Sequence, residues 1–301
     1  MRAAFHVLAC SVRGCGLPLE RDERTLRCTA GHAFDVARSG YVNLLQPQDR
    51  RSLAAGDSKE VVNARLALEE RGLGVDLEAA IAELGALAGL ARASPDFRGT
   101  SAVVLTGANA VPSNSSDVLD LGAGTGRHLA ALSVRFDCAA VGLDLSVHAI
   151  ELAARRHGSS AWCVANCDRV LPVRSASVDL VLSIDARRPT QEIARVLRPG
   201  GRVIVAVPGA RDLAELREVA LTDARDLPGL ERVQVEFAAD FELVARRETI
   251  ERIELDARGL QDLSLATYRA GRRSEGSRVE ALAGLVVTVA HEIGLFARRR
   301  G

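Results

Sequence analysis

Four soft ligands lie close together near the start of the chain: Cys10, Cys15, Cys28 and His32. Their spacing, C-x4-C-x12-C-x3-H, gives two close pairs bridged by a dozen residues, which suits a tetrahedral zinc site. Gly14 and Gly16 flank Cys15, and Gly31 precedes His32, so each pair can fold round a tight turn. Three thiolates and one imidazole fill all four positions, which predicts a structural site rather than a catalytic one. The competing reading is free cysteines with an incidental histidine; it requires two close pairs to fall by chance within 23 residues. Cys138 and Cys163, on or beside apolar runs, read as small core hydrophobes. His6 reads as a solvated or capping side chain.

A second constellation begins at Asp120-Leu121-Gly122-Ala123-Gly124-Thr125-Gly126, after an apolar run and before a helical one. Glycines there let a ligand approach the backbone closely, and the helix start offers free N–H groups. Asp144 ends the next apolar run, where a carboxylate can bind two ribose hydroxyls. The G-x-G-x-G spacing and the acidic Asp120 favour S-adenosylmethionine over a dinucleotide, since there is no pyrophosphate to cradle and an ammonium welcomes a carboxylate. The candidate lining is Asp120, Gly122, Gly124, Gly126, Asp144 and Leu145, with Asn166 and Cys167 after the third strand. Asn166 and Asp168 compete for the adenine. The bland alternatives are a tight turn with an exposed Asp144, and Asp120 as a helix cap.

These residues need a scaffold, and the pattern from Asp117 onward supplies one. Short apolar runs at Val118–Leu121, Ala139–Leu143, Ala161–Val164, Val178–Ile184 and Arg202–Val207 alternate with helical segments, the α/β pattern of a parallel sheet. Two further strand-like runs are expected at 231–237 and 241–254, then a helix near 256–266 and an apolar run at 285–297, fitting the antiparallel end of a mixed sheet. Upstream, Ser58 to Glu70 and Asp76 to Ala91 read as helices. Residues 93–116 read as a linker with a short strand at 102–105. The expected units are a zinc-binding module (1–45), a helical connector and linker (46–116) and a catalytic domain (117–301).

Composition sets outer limits. The 301 residues carry 39 basic and 39 acidic side chains, which excludes a whole-molecule basic field; any nucleic-acid surface is a local patch. The longest uncharged run, Gly99 to Ser116, is broken by Gly, Ser, Asn and Pro and is no spanning helix. Val7-Leu8-Ala9-Cys10 has the look of a lipoprotein signal, but the apolar stretch before it is short and carries His6. Six cysteines are too few for a disulfide scaffold, so a reduced, cytoplasmic compartment is expected.

Taken in order, the Cys-Cys-Cys-His cluster, His32-Ala33-Phe34-Asp35, Gly40-Tyr41-Val42-Asn43-Leu44-Leu45, Gly56-Asp57-Ser58, Ala64-Arg65 and the Asp120–Gly126 loop resemble the RlmA/TlrB class of ribosomal RNA methyltransferases. The resemblance covers residues 8–72 and 117–209 clearly and the C-terminal ninety loosely. It implies a Rossmann-like class I methyltransferase fold, α/β with a mixed seven-stranded sheet, behind a small N-terminal zinc-binding module that helps recognise RNA. It implies S-adenosyl-L-methionine as cofactor, structural Zn2+ on Cys10, Cys15, Cys28 and His32, and a 23S ribosomal RNA hairpin loop as partner. The reaction it implies is methylation of guanine N1; one member of the class confers macrolide resistance. A homodimer is left open. Three departures stand out: four residues separate the first cysteine pair where the family often has two, the fourth strand ends in Ser183-Ile184-Asp185-Ala186-Arg187-Arg188-Pro189 in place of Ala-Pro or Ser-Pro, and the linker at 93–116 is longer than the family needs.

Guanine N1 carries a proton at neutral pH, so its methylation needs that proton removed. Asp185 is the candidate base, and Arg187 or Arg188 the candidate stabiliser of charge on O6. The alternative for Asp185 is a turn cap paired with Arg187. For RNA, Tyr41 and Phe34 beside the zinc module and Arg38, Arg50, Arg51 and Lys59 after it offer stacking and charge. Tyr41 and Arg50–Arg51 are expected on one wall of a cleft, with Asp185 to Arg188 on the other. Arg298-Arg299-Arg300 reads as a frayed tail. The rival function is a natural-product methyltransferase whose zinc module covers the substrate cleft.

Overall fold

The computed structural model describes residues 3–47, 56–91, 116–168, 170–220, 229–267 and 284–299. Arg50, Arg51, Arg300 and nearly all of the expected linker, with its strand at 102–105, lie outside them.

Five parallel strands form the centre: β5 (Ser116–Leu121), β6 (Cys138–Asp144), β7 (Ala161–Val164), β8 (Val178–Ile184) and β9 (Leu197–Pro208). Their runs of Val, Leu, Ala and Ile are buried on both faces, as helix-covered parallel strands require. The long strands β10 (Phe241–Leu255) and β11 (Leu285–Arg298) add an antiparallel end, giving the expected seven. An eighth joins from the N-terminal module: β4 (Tyr41–Asn43) lies parallel to β7, with Tyr41 opposite Trp162. The order is β10-β11-β9-β8-β5-β6-β7-β4. The chain reverses its direction of winding between β5 and β8, the switch point at which α/β sheets bind ligands.

The rest of the N-terminal module is a small antiparallel sheet of β1 (Glu20–Asp22), β2 (Thr25–Arg27) and β3 (Ala33–Asp35). It is not a tethered bead. Leu8, Leu26, Cys28, Val36 and Leu44 share one hydrophobic cluster with Leu119, Val141, Cys163 and Val181 of the large sheet. His6, expected to be solvated or capping, sits 2.9 Å from Asp117 Oδ1 and helps tie the segment to β5.

The opposite face is covered by α2 (Val75–Leu87), α3 (Arg127–Arg135) and α4 (Val147–Arg156), packed through Ile81, Leu84, Leu129, Leu132, Ile150 and the buried Trp162. The hydroxyls of Ser146 and Ser58 accept N–H groups in the first turns of α4 and of α1 (Lys59–Glu70). Glu251 of β10 accepts the N–H groups of Gly74, Asp76 and Leu77 at 2.7–3.3 Å, which caps α2 from another part of the chain. Helices α5 (Thr190–Val196), α6 (Ala214–Ala220), α7 (Gly229–Phe237) and α8 (Ala257–Thr267) complete the described α-helices.

Two expectations are corrected. Residues 231–237 fall in helix α7 (Gly229–Phe237), not a strand; Leu230, Val233 and Phe237 are buried at helical spacing while Val235 is exposed. The valines that suggest a strand sit on opposite sides of one helix. Arg298 and Arg299 are not frayed: their side chains donate to the Leu197 and Phe241 carbonyls. No described helix is long and apolar enough to cross a membrane.

Candidate active site and metal centre

The zinc quartet comes together. Cys15 Sγ and Cys28 Sγ are 3.8 Å apart, and His32 Nδ1 is 3.4 Å from Cys10 Sγ and 3.5 Å from Cys28 Sγ. All four ligand atoms lie within 4.8 Å of one another. A tetrahedron with Zn–S near 2.3 Å and Zn–N near 2.0–2.1 Å has edges of about 3.8 Å between sulfurs and about 3.5 Å from sulfur to nitrogen. The cage therefore has the size of zinc and is far too open for a disulfide, whose sulfurs lie near 2.05 Å. The four-residue insert closes by backbone bonds, Cys15 N–H to Val12 O and Gly16 N–H to Cys10 O. Cys138 and Cys163 are buried core residues, as expected.

The second site forms where the parallel strands end. The loop after β5 hangs on the Leu143 carbonyl, which accepts the N–H groups of Gly122 and Ala123. Gly126 has φ +81°, and a Cβ there would meet Trp162 at 2.5 Å; glycine is needed for both reasons. At Gly124, its chain neighbours aside, no atom of the described residues approaches an added Cβ closer than 4.0 Å, so the loop faces open space among them. Asp144 accepts the N–H groups of Gly124 (3.0 Å) and Ser146 (2.7 Å), which fixes its carboxylate beside that space.

Asp120 is 2% exposed, and no described residue donates a hydrogen bond to its carboxylate. Burial, reinforced by the neighbouring Asp144, pushes its pKa up to about 7. Burial also raises Asp144. A cationic ligand would relieve both. Cys167 lies against the loop, its thiol pushed up to about 12, mainly by burial. Asn166 Oδ1 accepts the Asp168 N–H in a turn just after β7, and Leu145 lies half-buried between Asp144 and the cap Ser146.

The connector reaches this site, which spacing alone does not reveal. Gly56 (φ +83°) crosses so close to Leu145 and Ser146 that a Cβ would sit 2.5 Å from the Ser146 nitrogen. Ser146 Oγ donates to the Asp57 carbonyl at 2.7 Å, and Asp57 is paired with Arg65. Thr125 donates to Glu69 of α1 at 2.6 Å, and Arg127 pairs with Glu78 of α2. The Gly-Asp-Ser motif and both connector helices thus hold the outer side of the glycine loop.

Beside it lies a cleft of about 570 Å³, lined by Asp168, Asp185 to Pro189, Pro208, Arg232 and Glu236. Ala186 abuts the glycine loop, since a Cβ on Gly122 would meet its methyl at 2.6 Å. Asp185 pairs not with Arg187 but with His291 of β11, Nε2 to Oδ2 at 3.1 Å. Arg187 sits 3.4 Å from Asp168, and Arg188 3.4 Å from Glu236. Tyr41 does not form the facing wall. It is half-buried on β4, four strands or about 19 Å from β8. Phe34 likewise packs on the core. Sequence reasoning missed His291 and Glu236: the first is one of three polar residues, with Thr288 and Glu292, in an otherwise apolar run, and the second lies in the misassigned segment.

Residues 118–201 match the methyltransferase domain model, and residues 9–53 match the N-terminal zinc ribbon model of RlmA. A 23S rRNA (guanine(748)-N1)-methyltransferase of Streptomyces fradiae is 38% identical over 81% of this chain and 80% of its own length. Two proteins provisionally named 23S rRNA (guanine-N1) methyltransferases are also similar. One, from Micromonospora griseorubida, is 37% identical over 69% of this chain and 68% of its own. The other, from Bacillus subtilis, is 34% identical over 67% and 64%. A zinc-sized Cys3His cage packed on a class I methyltransferase sheet, with a glycine loop beside Asp120 and Asp144 at the switch point, agrees with these matches, and the chain belongs to the RlmA-type family of S-adenosylmethionine-dependent 23S rRNA guanine-N1 methyltransferases.

Proposed function

We propose that this protein methylates N1 of a guanine in a 23S rRNA hairpin loop in the cytoplasm, with antibiotic resistance as a consequence. The observation that carries the reading is Asp185, a half-exposed carboxylate in the cleft next to the glycine loop. Bound S-adenosylmethionine supplies an activated methyl group on a sulfonium. Asp120 would hold its ammonium, Asp144 its ribose hydroxyls, and Asn166 or Asp168 its adenine. The flipped guanine would enter the cleft, since N1 is hidden when the base is paired. Asp185 would take the N1 proton as the nitrogen attacks, and Arg187 or Arg188 would face O6. Both arginines already have carboxylate partners, so each would contribute only after exchanging part of that pairing. In this reading the unit 1–45 helps hold the RNA, the described part of the 46–116 connector (Gly56 to Glu78) braces the glycine loop and the unit 117–301 carries the chemistry.

The test is transfer of labelled methyl to a 23S hairpin transcript by wild-type protein and by Asp185→Asn. Loss of a general base should cut turnover on the order of 10²-fold or more and leave RNA affinity nearly unchanged. A fully active Asp185→Asn enzyme, or faster methylation of a small molecule than of any 23S fragment, would defeat the proposal.

A further inference from the structure

Asp185 is an odd place for a base to be steady. It is a non-glycine residue at φ +49°, in a conformation that side chains other than Asn and Asp seldom adopt. Its N–H is fixed on the Ala206 carbonyl at 3.0 Å, but its side chain is 45% exposed and, left alone, would turn freely. What stops it is His291. That residue lies within the antiparallel ladder, opposite Pro208 of β9 and Thr249 of β10, and its side chain is only 11% exposed. Its imidazole therefore has a rigid mount behind the cleft and reaches Asp185 from the side away from solvent.

We propose that His291 is a positioning residue for the methyl transfer, holding Asp185 Oδ2 through its Nε2–H so that Oδ1 is presented to the guanine N1 proton. The inference rests on the reading of Asp185 as the base. In the step itself the N1–H bond breaks toward Oδ1, the N1–methyl bond forms and the methyl–sulfur bond breaks, leaving the neutral thioether. His291 exchanges no atom with the substrate. It keeps one carboxylate oxygen occupied and the other free.

The surrounding charges favour a donor at this position. Burial alone would lower the His291 pKa, but the hydrogen bond to Asp185 and the fields of Asp185, Asp212 and Glu251 hold it above the ordinary value. Asp212, whose carboxylate is pinned by the Ala290 N–H at 3.0 Å, is pushed up to about 6 by burial and Asp185, with that N–H, His291 and Arg217 acting against the shift. His128 of α3 is held down to about 4 by burial and Arg127, so it adds no positive charge. While His291 is an imidazolium it also weakens Asp185 as a base. Turnover should therefore climb with pH as His291 loses its proton, along a limb lying above its usual titration range.

The experiment compares wild type, His291→Ala, His291→Gln and Asp185→Asn on the 23S hairpin transcript, across pH 5.5 to 8.5. His291→Ala should lose about 10–100-fold in kcat, with KM for RNA and cofactor changed less than about twofold. His291→Gln keeps an N–H donor at similar reach and cannot titrate. It should recover to within about fivefold of wild type and lose the pH limb assigned to His291. An alanine variant with unchanged kcat, or a glutamine variant that keeps the wild-type pH limb, overturns the proposal. Should alanine at this position prevent folding, the pH profile of the glutamine variant decides alone. An inactive Asp185→Asn with an unimpaired His291→Ala refutes only the positioning role; a fully active Asp185→Asn refutes the base and this inference together.

Discussion

If Asp120 holds the cofactor ammonium, as proposed, cofactor binding should depend on pH, and the sign follows from its surroundings. With no cation present its pKa stands at about 7, raised first by burial and then by Asp144. Below that value the carboxyl is mostly protonated. A ligand ammonium favours the carboxylate, so binding must release a proton at low pH and less of one as pH rises. If only the ionised form binds well, affinity follows the ionised fraction, about 3% at pH 5.5 and about 50% at pH 7. S-adenosylmethionine should therefore bind about fifteenfold more tightly at pH 7 than at pH 5.5. The window stops near 7 because an α-amino group itself starts to lose its proton at roughly 7.7–8.0. Isothermal titration calorimetry in two buffers of different ionisation enthalpy measures both quantities. Proton release should be near one per ligand at pH 5.5 and near one half at pH 7. Asp120→Asn should bind more weakly at pH 7 and show a flat profile. Affinity independent of pH in the wild type, with no proton released, would refute the assignment of Asp120 to the ammonium.

The zinc centre and the connector give further tests. Elemental analysis of protein purified without chelator should return one zinc per chain, and its removal, or Cys10→Ser, should unfold the N-terminal module, because metal binding there is folding energy. Calorimetry should show the loss as a lowered Tm, and the shared core with β5, β6 and β8 means the whole domain should feel it. Gly56→Ala places a Cβ against the Ser146 backbone at 2.5 Å in a left-handed conformation, so the Gly-Asp-Ser segment must lift. Cofactor affinity should fall about 10-fold or more, since the Leu145–Ser146 turn carries the Asp144 anchor; unchanged affinity would remove the connector from the cofactor site.

What could be read from the sequence was what is local. The metal ligands lie in two short turns, and their chemistry is set by residue type and spacing. The β5 loop and Asp144 were legible for the same reason: each sits where an apolar strand gives way to polar residues. The helix α7 was not, because two valines raise strand propensity while burial, decided by packing on β9, β10 and β11, chose the helical face. His291 was invisible because its partner lies 106 residues earlier, and it takes both the β8–β9 and β9–β11 pairing registers to bring the two together. The eighth strand failed to announce itself likewise. Tyr41-Val42-Asn43 is too short to read as a strand and becomes one only against the edge of β7. Tyr41, expected to face the substrate, is spent on that edge.

The central claim is a modified guanine in ribosomal RNA. Mass spectrometry of nuclease fragments of 23S rRNA, from cells with and without this gene, tests it most directly. The account predicts one hairpin fragment heavier by a single methyl group, released as N1-methylguanosine, and absent when the gene is deleted or carries Asp185→Asn. Identical 23S fragments from both cell lines, with the methyl group recovered on a small molecule, would contradict it.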